Sequence, residues 1–272
     1  MEPIDMEDQK RRQVDYHERE HYNRLRPRIP DNSHPYIEWL NTYRLAKAER
    51  MMRTTVAGKT MLSVCAGDGE EAAFFQSKGA HVTIVDLSRE ALAAAQVRNP
   101  KLICVCMDAE SLTFPDQSFD WVLVRDGLHH LARPLKGFYE AERVCREGFI
   151  ILEGQDSLPV RLLAQIGVAE NWDPAGGYVY RFTRRELHKV FSSMQTVQDW
   201  EVHTAWLPFG SDILTHVPPF RRWVYPLMNL AAVRTLLMAA PVKAGAKSLF
   251  GVATGALGRW GNSLIVVAHK KR

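Results

Sequence analysis

Lys59–Glu71 reads K-T-M-L-S-V-C-A-G-D-G-E-E, and seventeen residues beyond Gly69 an aspartate, Asp86, closes a second apolar run, H-V-T-I-V-D. The first run predicts a short buried strand over Met61–Cys65. A turn of small residues follows, Ala66-Gly67-Asp68-Gly69, and then a helix start near Glu70. Gly67 and Gly69 let the chain turn sharply and leave no Cβ between backbone and ligand. The helix N-terminus aims unpaired N–H groups the same way. Asp86, at the tip of the next strand, has two oxygens for a pair of vicinal ribose hydroxyls. Strand, glycine turn, helix, strand and acid together predict a doubly wound α/β sheet that grips a nucleoside at its carboxyl edge.

This spacing alone leaves the nucleoside open. Ala72 can serve as the third small residue of a dinucleotide fingerprint, which keeps a nicotinamide cofactor in play. The discriminating stretch is V-C-M-D-A-E-S-L-T-F-P-D-Q-S-F-D-W-V-L-V-R-D-G-L-H-H-L, Val105–Leu131. With the glycine turn and Asp86, it resembles class I S-adenosylmethionine-dependent methyltransferases, most closely the ubiquinone/menaquinone-methyltransferase-like branch. The likeness rests on Asp108-Ala109, Phe114-Pro115-Asp116, Ser118-Phe119-Asp120 and Leu128-His129-His130-Leu131. It runs through about residues 55–155. It implies a Rossmann-like seven-stranded sheet with the last strand inserted antiparallel.

The resemblance also implies site roles. Ser63, Cys65, Ala66, Gly67, Asp68 and Gly69 would lie along the methionine part of S-adenosylmethionine. Asp86 would hold the ribose and Leu87 would pack on the adenine, while Asp108 and the backbone of Ala109 would meet the adenine amino group. Arg125 and Asp126 would each either bind the methionine end or pair with the other. Two positions depart from the family pattern: Ser63 stands where an acid is usual and Cys65 where a glycine is usual. Ser63 can bond a water but brings no charge to the cofactor's ammonium, so a non-catalytic relative is an alternative reading.

Methyl transfer from a sulfonium is an in-line displacement that needs an aligned acceptor and, for a hydroxyl or carbon acid, a base. Related natural-product sugar O-methyltransferases use the first histidine of such an L-H-H pair as the base, supported by a carboxylate at the end of strand five; the resemblance implies these roles for His129 and Glu153, with His130 the second candidate. An ordinary imidazole, with a pKa of about 6.5, suits the task. The alternative is that one histidine packs beneath the cofactor. No metal is expected. A hydroxyl acceptor is the first expectation and a quinone-like or prenyl carbon the second.

The remaining chain sets the organisation. Apolar residues make up 46 % of 272, enough for a substantial core. Cys104 and Cys106 fall two apart on one strand face and read as buried small hydrophobes. The N-terminal M-E-P-I-D-M-E-D-Q-K-R-R lacks a signal-type apolar stretch, and no run of eighteen residues is apolar and uncharged, which predicts a cytoplasmic protein. Residues 1–54 form an expected helical arm, disordered at first, turning helical near Tyr16–Arg24, and helical again over Tyr36–Met52. The resemblance implies that an N-terminal helix closes over the cofactor, through Tyr16, His21 or Tyr22; a solvated charged arm is the alternative. The methyltransferase domain is expected over 55–272. Its strands are Met61–Cys65, His81–Val85, Leu102–Met107, Phe119–Val124, Phe149–Leu152, Val197–Ala205 and Ser263–Ala268. Thr183 and Glu186 form a capping box.

Between the last two strands lies an apolar helical insertion, about Pro208–Gly261, with six basic residues against one acid, Asp212. It reads as a cap over a small-molecule acceptor, a homodimer contact, or a surface meeting the inner membrane face. A nucleic-acid partner is not expected: no N-P-P-Y signature, Pro-Cys pair or RNA-binding module is visible.

Overall fold

The computed structural model describes residues 6–16, 35–165, 177–205 and 260–271, with residues 18, 169, 171, 172 and 175 singly between them. Most of the expected Pro208–Gly261 insertion lies outside the described residues, as do His21 and Tyr22.

Two N-terminal helices, α1 (Met6–Tyr16) and α2 (Pro35–Met51), precede an alternating core. The core runs β1 (Thr60–Val64), α3 (Glu70–Ser77), β2 (His81–Asp86), α4 (Arg89–Arg98), β3 (Ile103–Cys106) and β4 (Phe119–Arg125). A 3₁₀ turn at Leu128–His130 leads to α5 (Pro134–Val144), β5 (Cys145–Gly154) and α6 (Leu158–Gln165). The chain closes with α7 (Arg184–Ser193), β6 (Val197–Ala205) and β7 (Ser263–Lys270). The seven strands lie in the order β3-β2-β1-β4-β5-β7-β6. Neighbours are parallel from β3 to β5, and β7 inserts antiparallel between β5 and β6.

Met61, Leu62, Ser63 and Val64 are all buried because β1 sits mid-sheet under helices on both faces. On one side α2, α3 and α4 cover Met61, Ile84, Trp121 and Leu123. On the other, Phe138 of α5 and Phe191 of α7 pack on Phe149 of β5 in one cluster with Leu62 and Val122. Each phenylalanine so buried stabilises the fold by about 1.5–3 kcal/mol. Local signals place the helices. The Ser88 hydroxyl accepts from the Ala91 N–H, and Thr183 and Glu186 form the expected reciprocal box.

Three differences from expectation have physical causes. The first helix begins at Met6 and ends at Tyr16, earlier in the chain than its local pattern suggests. It docks through Lys10, whose Nζ lies 2.7 Å from Asp108 Oδ2, so a tertiary contact rather than periodicity sets its position. Strand β5 is longer than Phe149–Leu152, because its tail through Gly154 is paired by β7. Cys106 is exposed rather than buried, since β3 is the sheet's edge.

Candidate functional site

The carboxyl ends of β1, β2 and β4, roofed by α1, enclose a cavity of about 280 Å³. Cys65, Ala66, Gly67, Asp68, Asp86, Leu87, Asp108, Ala109, Arg125 and His130 line it. The roof supplies Gln9, Lys10, Gln13 and Val14, not Tyr16. Ser63 lies buried behind the wall, and Gly69, at φ 75°, starts α3 with no side-chain cap.

Asp86 is held from both sides. Its Oδ2 accepts from the Gly67 N–H and its Oδ1 from the Ser88 N–H, each at 2.8 Å. Burial pushes its pKa up; those two backbone bonds, and the charge of His130, pull against the rise without cancelling it. The turn and the acid therefore orient one another. Asp108 is fixed likewise, with Oδ1 accepting from the Glu110 N–H at 2.8 Å. Asp68 is drawn outward into an ion pair with Arg98.

Cys65 occupies the left-handed region at φ 54°, where the family pattern has glycine. Gly127 makes room for it: a Cβ on Gly127 would stand 2.3 Å from that of Cys65. Burial and neighbouring carboxylates, Asp86 first among them, raise the thiol's pKa, so Cys65 stays a neutral wall group.

Glu71 was not visible as a site residue in the sequence. It lines the cavity, is only 1 % exposed, and its Oε1 accepts from the Ser63 hydroxyl at 2.7 Å. A spacing signal existed: Glu71, Ala72 and Phe75 form the buried face of α3, so one of the two opening glutamates had to point inward. Arg125 Nη2 lies 3.2 Å from Glu71 Oε2, and both its terminal nitrogens reach Glu70 Oε2 at 3.2 Å. Arg125 and Asp126 thus take other partners rather than each other. Asp126 receives Arg44 of α2 in two parallel bonds of 2.6 and 2.8 Å.

Past β4 the 3₁₀ turn carries the two histidines, their ring centroids 4.1 Å apart. His130 faces the cavity. His129, its ring beside that of His130, sets Nδ1 2.8 Å from Glu153 Oε2, while Glu153 Oε1 accepts from the Leu128 N–H at 2.7 Å. Glu153 is 1 % exposed. A carboxylate only accepts, so Nδ1 carries the proton and Nε2 is the basic nitrogen.

The cavity fits an adenosyl amino acid on its own donors and acceptors. Gln13, 7 % exposed, has neither its amide oxygen nor its nitrogen hydrogen-bonded, and Glu71 Oε2 likewise accepts no hydrogen bond. Such buried groups are costly until something pairs them.

Comparison with known proteins agrees. Residues 62–152 match the model of a methyltransferase domain family. A demethylmenaquinone methyltransferase of Clavibacter sepedonicus is 36 % identical over 107 residues, 38 % of this chain and 44 % of that protein. A ubiquinone/menaquinone biosynthesis C-methyltransferase of Paracoccus denitrificans is 33 % identical over 156 residues, 53 % of this chain and 62 % of its own length. The chain therefore spans less than half the length of the first of these relatives. Among solved structures, phosphoethanolamine N-methyltransferase 2 of Haemonchus contortus, in complex with S-adenosyl-L-methionine, superposes with a TM-score of 0.58 at 19 % identity. That match covers 95 % of this chain and 60 % of the other, and shows a shared fold.

Proposed function

We propose that this chain, whose residues 62–152 form a class I methyltransferase domain of the S-adenosylmethionine-dependent kind, methylates a hydroxylated small molecule. The observation that carries this reading is Asp86, pinned by Gly67 and Ser88 in the wall of a cavity that is also lined by the buried Gln13 amide, which makes no hydrogen bond among the described residues. S-adenosylmethionine, when bound, supplies the electrophilic methyl. This chain's residues do the rest. Asp86 accepts from the ribose hydroxyls, Asp108 and Ala109 face the base, and α1 closes over the nucleoside and excludes water.

His129 removes the acceptor's proton at Nε2. Glu153 holds the ring by Nδ1 and stabilises the imidazolium that forms. Oxygen methylation is the direct outcome of deprotonating a hydroxyl. A second reading, carbon methylation, is favoured by the name of the Paracoccus denitrificans relative, a C-methyltransferase. The same dyad serves it, because a phenolate is nucleophilic at ring carbon as well as at oxygen.

The test is direct. Native mass spectrometry of the purified protein should show a co-purified adenosyl ligand. Incubation with S-adenosylmethionine carrying a ¹³C methyl, and with reduced demethylated quinones or simple phenols, should give labelled product. The carbon shift of the label separates O-methyl from ring-methyl. Ligand binding with no product from any hydroxylated acceptor would reject the catalytic reading.

A further inference from the structure

The nucleotide half of the site matches its family pattern; the amino-acid half does not, because Ser63 carries no charge. The strand order says where that half lies. Asp86 ends β2 and Asp108 follows β3, so the base lies toward the β3 edge and the rest of the ligand runs the opposite way, over β1 toward β4. At that end the cavity wall holds two opposite charges side by side. Glu71 and Arg125 are 3.2 Å apart and both line the cavity.

We propose that Glu71 takes over the missing acid's place and binds the α-ammonium of the cofactor, while Arg125 binds its α-carboxylate. This inference rests on the cofactor reading above. An α-amino acid is a zwitterion whose two charges stand about as far apart as a hydrogen-bonded pair. Laid against Glu71 and Arg125 in the opposite sense, it completes an alternating ring of four charges. Three details fit that arrangement. Ser63 occupies only Oε1 of Glu71 and so aims the carboxylate, leaving Oε2 without a hydrogen bond. Burial raises the Glu71 pKa despite Arg125 and Ser63, so its ionised form is under-compensated and gains from a second cation. Arg125 keeps guanidinium donors beyond those spent on Glu70. Sequence position 63 has thus become a supporting hydroxyl, and the charge has moved eight residues on, from the strand to the helix.

Calorimetry with two ligands tests this. S-adenosylhomocysteine carries the amino-acid group, and 5′-methylthioadenosine lacks it. The wild-type protein should bind the former at least about 10-fold more tightly. Glu71→Gln should weaken S-adenosylhomocysteine by about 10- to 100-fold and leave methylthioadenosine unchanged, since a charge-assisted bond is lost only with the first. Glu90→Gln, on the exposed face of α4 and away from the cavity wall, should leave the preference intact. Ser63→Asp placed in the Glu71→Gln background should restore part of it, because the hydroxyl already sits 2.7 Å from the Glu71 carboxylate. Equal losses for both ligands in Glu71→Gln, or none for either, would overturn the assignment while leaving the cofactor reading standing. A wild-type protein that binds neither ligand overturns both.

Discussion

The two halves of the site are wired differently. On the cavity side, backbone N–H groups hold Asp86 and Asp108, yet among the described residues the Gln13 amide has no hydrogen-bond partner and Glu71 Oε2 has only its ion pair with Arg125. On the His129 side the carboxylates already have partners, although the buried Arg44 Nε makes no hydrogen bond among the described residues. Glu153 accepts from Leu128 and from His129, and Asp126 takes both arms of Arg44. The first half is a socket that a ligand completes; the second is assembled in advance. A change in the socket should therefore appear in binding, and a change in the assembled half in turnover or stability.

The largest expected effect sets the sharpest test of that division. His129→Ala should lower kcat by about 100-fold or more, with cofactor affinity nearly unchanged. Loss of cofactor binding instead would move His129 into the socket, and full turnover would leave His130 or no base at all. Next in size is the socket's own anchor. Asp86→Ala removes both acceptors for the ribose and should cost roughly 1.5–3 kcal/mol per charged hydrogen bond in cofactor affinity. The thermal midpoint must be followed alongside, because the Gly67 and Ser88 N–H groups lose their partner too. Unchanged affinity in a folded variant would remove the ribose assignment.

The same division describes what could be read from the chain alone. Glycine turns, strand ends and caps are local, so Gly67, Gly69, Asp86 and the Thr183 cap were legible as structure. The pairing of His129 with Glu153 was implied by the resemblance, and the two stand 2.8 Å apart because they follow the ends of the neighbouring strands β4 and β5. The role of α1 was not, because Lys10 meets Asp108 across 98 residues and no local pattern encodes that contact. Glu71 was overlooked for a related reason. An acid in the first turn of a helix ordinarily serves the helix dipole, and only the packing of α3 on β1 shows that this one points inward. Gly127 is legible only once Cys65 is known to stand against it.

That last pair gives a smaller test, within the socket wall. Gly127→Ala should cost about 1–3 kcal/mol through overpacking on Cys65. Cys65→Gly should change stability by no more than about 1 kcal/mol, because relief of the left-handed backbone offsets the entropy of a new glycine. In the Cys65→Gly background the alanine at 127 should become nearly free of cost. Urea unfolding of the four proteins measures this coupling, and an undiminished alanine penalty would break the pairing.

The smallest expected effect belongs to the assembled half and has a definite sign. Burial pushes the Asp126 carboxyl up, but the Arg44 ion pair and its two bonds, with the charges of Arg125 and His129, hold it below the usual carboxylate range. A carboxyl depressed in the folded protein contributes stability above its unfolded pKa, about 3.9, and loses it as pH falls through the lower folded value. The side chain is 44 % exposed, so solvent screens the pair and the contribution should stay under about 1 kcal/mol. Asp126→Asn suits the test because asparagine also tolerates the φ of 50° found there. The difference in thermal midpoint between wild type and variant should be level from pH 7 to about pH 5. It should then shrink below about pH 4, as the wild-type carboxylate takes up its proton and the Arg44 link between α2 and β4 weakens. A difference that holds constant down to pH 3 would show that the pair adds nothing ionic to the fold, leaving Arg44 to act there through packing alone.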